Sequence, residues 1–230
     1  MIRIWQPETT FDVYLMFAEE NAIDITHHFP SSEFEEFAKS LYTRKFKLNR
    51  SSPAVTLVLT LDDFNVDFFE WGGSAFVSER MRQAMALDPV VVRFFEVDDS
   101  KSAPLVRSKN YQMMEPEVAE KVLDLKGTQH QMRPILPEMP FVPFVTGRLA
   151  LRPDASPKHD LFYDSFFTKE LFCTDTFALR VLRAGCTGLR FMDPDSRGDR
   201  NLFRTMRGIE ESIGEDSNGV EITRVVEAID

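Results

Sequence analysis

Apolar residues recur along this chain in two periods, every second position over short runs and every third or fourth over a few longer ones, and these periods divide it into strands and helices. Phe11 to Phe17 reads as a strand. Ser32-Glu33-Phe34-Glu35 fits a capping box that opens a helix to about Leu41, because the hydroxyl and the carboxylate three residues on satisfy each other's amides. Ala54 to Thr60 reads as a buried strand. Phe64-Asn65-Val66-Asp67-Phe68 alternates apolar and polar, as a strand with one face on the core does, and Gly72-Gly73 supplies a turn.

A sharper pattern starts at Phe76. Ser78 is placed as a helix N-cap with Glu79 in the first turn, and Met81, Met85 and Ala84 form the apolar stripe of a short helix that Pro89 stops. Val90 to Val97 is β-rich and runs into the acidic turn Asp98-Asp99-Ser100. The pattern returns about a hundred residues later. Phe172-Cys173-Thr174-Asp175 matches Phe76-Val77-Ser78-Glu79 by residue type, Phe177 takes the place of Met81, Gly185 offers a left-handed cap after Ala184, and Gly188-Leu189-Arg190-Phe191 mirrors the strand around Phe94. Asp67-Phe68-Phe69 and Ser165-Phe166-Phe167 are the corresponding lead-ins. The reading is a duplicated strand, capped helix, strand unit.

Pro134, Pro137, Pro140 and Pro143 mark residues 127–143 as a connection. Leu202, Phe203, Met206, Ile209 and Ile213 recur at helical spacing and predict an amphipathic helix ending at Gly214. The expected fold is therefore α+β, with two related halves that each hold strands and a short capped helix on mostly antiparallel sheet. Residues 1–126 form the first half and 144–230 the second, as two domains or as one compact domain.

Composition adds little to the fold but narrows the function. Of 230 residues, 43% are hydrophobic and 28% charged, a globular balance; 21 phenylalanines point to an aromatic core. The net charge of −10 repels phosphate backbones and anionic lipid, so neither nucleic acid nor membrane is an expected partner, whereas a basic protein would be attracted. No run is long and apolar enough for a membrane span or a secretory leader, and the expected compartment is the cytoplasm. There Cys173 and Cys186 are two free thiols.

Sites for chemistry are sparse. The chain has no Walker loop, no GxGxxG, no GxSxG and no HExxH motif. Of His27, His28, His130 and His159, only the first two are neighbours, and adjacent strand residues face opposite ways, so no metal site and no cofactor are expected. Asp62-Asp63, Asp98-Asp99 and Glu210-Glu211 are paired carboxylates in polar surroundings, expected to be solvated. Ser78 and Thr174 are explained as N-caps, and Cys173 as a packing residue. Trp71, beside Gly72-Gly73, is either a binding hot spot or a core anchor.

The segment from Trp71-Gly72-Gly73 through Ser78-Glu79, the helix with Met81 and Ala84, Val92-Arg93-Phe94-Phe95, Asn110-Tyr111-Gln112-Met113-Met114, and Val122-Leu123-Asp124 resemble one group of bacterial immunity proteins, the partners of polymorphic toxins. Leu171 to Asp175 and Gly188 to Phe191 look like that family's carboxy-terminal block, and the resemblance runs from about residue 11 to 195. It implies a non-enzymatic cytoplasmic antitoxin that binds and neutralises a cognate toxin, with nucleases the favoured toxin class. An adaptor or chaperone for a secreted effector is the alternative. The residues expected to meet the partner are Trp71, Asp98, Asp99, Glu210 and Glu211; no catalytic residue is expected.

Overall fold

The computed structural model describes residues 3–10, 23–28, 54–71, 74–134, 141–167, 170–195 and 200–228. Its elements confirm an α+β protein in which strands dominate and pair mostly antiparallel. Contacts divide the chain into two compact units, one of residues 1–8, 117–185 and 190–230, the other of residues 9–116 and 186–189. The chain passes from one unit to the other between Pro116 and Glu117.

The unit of residues 9–116 and 186–189 is built on a six-stranded sheet. Its strands are β2 (Ile23–His28), β3 (Ala54–Leu59), β4 (Phe68–Trp71), β5 (Ser74–Val77), β6 (Val92–Asp98) and β7 (Gln112–Pro116), in the order β2-β3-β6-β7-β5-β4. Two short helices, α1 (Glu79–Met85) and α2 (Pro104–Ser108), flank β6 in sequence. Val55, Leu57 and Leu59 of β3 point into an aromatic core. There Phe69 stacks on Phe76 with centroids 4.9 Å apart, and Phe64 and Tyr111 each meet Phe69 edge-on at 5.3 Å. Offset stacking and edge-to-face contacts suit the ring quadrupoles, so this cluster gains more than its buried area alone provides.

The unit of residues 1–8, 117–185 and 190–230 carries an eight-stranded sheet. To β1 (Ile4–Thr9) it adds β8 (Ala119–Glu120), β11 (Leu161–Asp164), β12 (Leu171–Thr174), β13 (Leu189–Met192), β14 (Asn201–Thr205), β15 (Gly208–Glu215) and β16 (Glu221–Ala228), in the order β16-β15-β14-β13-β1-β12-β11-β8. The helix α3 (Asp175–Arg183) buries Phe177, Ala178, Val181 and Leu182. Asp164 is an internal brace: its buried carboxylate accepts the amides of Val122, Leu123, Phe166 and Phe167 at 2.8–3.1 Å. Residues 127–143, set apart in the sequence by prolines, contain β9 (His130–Pro134) and the start of β10 (Phe141–Val145), which pair with each other as a separate two-stranded sheet. Pro134 and Pro143 sit inside those strands, a position tolerated because each strand has an open edge among the described residues.

The two expected N-caps are in place. Ser78 Oγ accepts the amide of Met81 at 3.1 Å, and Thr174 Oγ1 accepts that of Phe177 at 3.3 Å. Gly185 is left-handed at φ 69°, as a cap residue should be, but α1 ends before Pro89 on a left-handed alanine, Ala86, at φ 44°. Both stretches begin alike. Asp67 precedes β4 and Asp160 precedes β11, and in each case its backbone carbonyl accepts the amide of the N-cap residue while its carboxylate accepts the N-cap hydroxyl, Ser78 at 2.7 Å and Thr174 at 2.6 Å. Two residues after each aspartate, Phe69 pairs with Phe76, and Phe162 with Phe172, across the hairpin. The lead-in corresponding to Asp67-Phe68-Phe69 is therefore Asp160-Leu161-Phe162 and not Ser165-Phe166-Phe167.

Two expected elements differ. Residues 64–67 form no strand: the amides of Asp67 and Phe68 both donate to the carbonyl of Thr187, so the chain stays irregular until β4 begins at Phe68. Residues 202–213 form no helix but β14, a turn and β15. A ladder on both sides of β15 satisfies its backbone, and Gly208 at φ 139° has no room for a side chain, since a Cβ there would lie 2.1 Å from the Glu227 carbonyl oxygen. Met206, the middle of the supposed apolar stripe, is 100% exposed at the turn. The expected strand at 11–17, the helix at 32–41 and the Gly72-Gly73 turn lie outside the described residues.

These placements set opposite expectations for two apolar side chains. Phe69→Ala is expected to lower the free energy of unfolding by about 3–5 kcal/mol, and Met206→Ser to change it by less than about 0.5 kcal/mol, both read from denaturant titrations. A loss of more than about 1 kcal/mol for Met206→Ser would restore the helical reading of this segment.

Candidate functional site

The strand β15 places Glu210 and Glu211 on opposite faces of the sheet, and both side chains are buried, contrary to the expectation of solvated carboxylates. Two arginines meet Glu211 and one meets Glu210. Glu211 lies between Arg3 Nη2, 2.5 Å from Oε1, and Arg224, whose Nε and Nη2 reach Oε2 at 3.0 and 2.6 Å. Burial pushes its pKa up, but the hydrogen bonds from Arg3 and Arg224 outweigh that effect and hold the carboxyl below its ordinary value. Glu210 accepts the Thr205 hydroxyl at 2.8 Å and pairs with Arg207 at 2.7 Å; the hydroxyl first, then the arginine, lower its pKa.

Arg3 ties this pair to the rest of the unit. Its guanidinium lies 4.0 Å from the centroid of the Trp5 ring and 3.6 Å from Asp193, and Trp5 Nε1 donates to Asp175 Oδ1 at 2.8 Å in the first turn of α3. Beside the pair is an open cleft of about 290 Å³, lined by Arg3, Asp175, Leu179, Leu202, Glu211 and Arg224 with Val225 and Val226 of β16. Its size lies at the low end of small-molecule sites and suits one large side chain better than a cofactor.

The other expected contact residues fall in the second unit. Asp98 ends β6 and is exposed; its carboxylate accepts the Ser100 amide at 3.1 Å, and hydrogen bonding to Ser100 lowers its pKa. Asp99 is half-buried, and burial raises its pKa. Their turn is fixed to the sheet by Ser102, whose hydroxyl donates to the Leu57 carbonyl at 2.9 Å and accepts the Leu59 amide at 3.0 Å. Trp71 closes β4 with its backbone opposite Ser74, while its side chain lies outside the described residues. The structure brings Glu210 and Glu211 together on one strand and Asp98 and Asp99 on one turn.

Several of the other titratable and nucleophilic groups among the described residues have structural occupations. Asp67 is buried; burial raises its pKa, and the Ser78 hydroxyl, the Thr187 amide and the Lys109 ammonium together bring it below the ordinary value. Cys173 is fully buried and its thiol is pushed well up by burial, then by Asp160 and Asp175; Cys186 is buried as well. His130 Nδ1 is 2.8 Å from the Thr128 carbonyl, and His159 Nδ1 is 2.6 Å from Glu120. His27 and His28 belong to β2. Among the described residues no group of three or more His, Cys, Asp or Glu side chains is placed to hold a metal, and no helix is long and apolar enough to cross a membrane.

Sequence reasoning misses Arg3 and Arg224, which line the cleft beside Glu211, and Trp5, whose ring Arg3 covers. No local signal marks them, because the Arg3 to Glu211 contact joins the two ends of the chain. Asp67 stands within the alternating run at 64–68, where alternation alone makes it a solvent-facing strand residue.

Fold and cleft together define a scaffold with a surface recess, in which the buried acids Asp67, Asp164, Glu210 and Glu211 hold structure. The sequence matches the model of the immunity protein family (Imm11) over residues 16–195, more than half of the chain, and the chain belongs to that family. A comparison with curated proteins gave no match.

The lowered pKa values of Glu211 and Asp67 have a direct consequence in acid. Their carboxylates contribute stability that is present above the unfolded values, 4.5 and 3.8, and lost as pH falls through the lower folded values. Glu211→Gln is expected to cost about 1.5–3 kcal/mol at pH 7 and to flatten the decline in stability below pH 4.5, measured by denaturant titration from pH 7 to pH 3.

Proposed function

We propose that this chain is an immunity protein that binds a cognate bacterial toxin in the cytoplasm and neutralises it by occupying its surface, with no chemical step of its own. The observation that carries this reading is the family match over residues 16–195. The occupations of Ser78, Thr174, Cys173, Asp67, Asp164, Glu210 and Glu211 support it, since each of these groups is engaged in capping, bracing or packing.

A net charge of −10 favours a basic toxin, and a nuclease, whose substrate is a polyanion, is the class whose surface fits best. The exposed Asp98, with Asp99 and Trp71 in the same unit, supplies one set of contacts. Glu210 and Glu211 contribute through the arginines they hold in place. The matching hydrogen bonds of Asp67 with Ser78 and Asp160 with Thr174 support an origin of the two hairpin and helix stretches by duplication.

Coexpression with the toxin encoded beside this chain's gene tests the reading. Cells are expected to survive only when both are made, and protection of the purified toxin's target should saturate at a fixed molar ratio. The association rate should fall on the order of tenfold as salt is raised, and Asp98→Lys with Asp99→Lys should slow it several-fold. Absence of binding, or protection at trace amounts of this chain with turnover of a substrate, would overturn the proposal.

A further inference from the structure

The strand β16 is an eight-residue edge of its sheet, paired on one side with β15 and on the other with nothing among the described residues. Its opposite number, the edge strand β8, is only two residues long. Proteins usually blunt a long edge with lysine, proline or a cover. The sequence of β16, Glu-Ile-Thr-Arg-Val-Val-Glu-Ala, holds neither lysine nor proline, and its one bulge, at Val226, falls after the stretch from Glu221 to Val225. At its head and along its length Val220, Ile222, Val225 and Val226 are 42–60% exposed. Val225 and Val226 also line the 290 Å³ cleft beside Arg3, Leu202 and Arg224, so a recess for a side chain opens next to an open row of backbone donors and acceptors.

The charges of the hairpin select the occupant. Arg224 is taken by Glu211, and Glu227 by Arg183 at 2.7 Å. Glu215 and Glu221 stand directly opposite each other in the ladder, with Asp216 in the turn, and no lysine or arginine among the described residues pairs with any of the three. Like charges facing each other across a strand pair destabilise it, and a cationic partner relieves that repulsion. The family match ends at residue 195, so β14, β15 and β16 all lie beyond the part shared with the family.

We propose that β16 is the docking edge for an extended, basic segment of the cognate toxin, which adds to the sheet as a further strand and inserts one side chain into the cleft. This rests on the antitoxin reading and names the surface it uses. Backbone hydrogen bonds to the open edge then supply affinity, and the cleft and the carboxylates of the tip supply selectivity.

The test uses the full chain and the product of the neighbouring toxin gene, made catalytically silent. Ile222→Lys combined with Val226→Lys is expected to weaken binding at least tenfold while circular dichroism stays that of the wild type. In the wild-type chain, hydrogen exchange should slow on complex formation at those amides of residues 221–228 that do not bond to β15, a readout that stands even if the double variant fails to fold. Wild-type binding with unchanged exchange in β16, or with full affinity in the folded double variant, overturns the docking edge and leaves the antitoxin reading intact. A wild-type chain that does not bind the toxin at all removes both. A dimer that the double variant dissociates, with toxin affinity unchanged, assigns the edge to a second copy and overturns the proposal.

Discussion

In each unit, the passage from hairpin to helix is held by an aspartate whose carboxylate accepts the N-cap hydroxyl, Asp67 for Ser78 and Asp160 for Thr174. The hydroxyl has two duties, since it also accepts the amide three residues on, and a charged acceptor behind it strengthens that cap. The aspartate's carbonyl meanwhile receives the amide of the cap residue, so side chain and backbone lock the same point. Placed two residues along each strand, the paired phenylalanines are then brought face to face, with the Phe69 and Phe76 rings inclined by 9° and those of Phe162 and Phe172 by 26°. Helix position, strand register and ring stacking all follow from that anchor.

The carboxy-terminal hairpin is organised differently, by paired charge at its base and by repelling charge at its tip. Glu210 and Glu211 are acids buried in a sheet, an arrangement that is stable only because arginines meet them. The two register shifts between β15 and β16, at Ile209/Glu210 and between Ser212 and Glu215, bracket them. Such bulges re-aim side chains and increase local twist. Beyond the second shift the ladder continues to Glu215 opposite Glu221, where repulsion is tolerated in exposed surroundings. The same strand thus changes from a braced interior to a surface that favours a cationic neighbour.

Several features of the fold are legible in short stretches of sequence. Ser78 and Thr174 are identifiable as caps because a short oxygen-bearing side chain before an acid and an apolar stripe has few other uses. β3 and β6 are legible because β-branched residues crowd them. Sequence alone makes Glu210 and Glu211 solvated and 202–213 a helix for one reason: the spacing of Leu202, Met206, Ile209 and Ile213 fits a helix only if a single face is buried. In the fold Met206 lies in solvent at a turn while Leu202 and Ile209 are buried on separate strands. Periodicity carries no information about a turn that Gly208 closes at φ 139°.

By itself, the sequence determined the α+β class, the capped helices and the family, because capping, strand propensity and local motifs act between residues a few positions apart. Tertiary structure decided which carboxylates are buried, that Arg3 at one end of the chain clamps Glu211 near the other, and that β16 is left as an edge. Those outcomes depend on strand order and on contacts between distant residues. No local pattern encodes them, since the energy of a buried charge or an unpaired edge is set by what the rest of the chain places beside it.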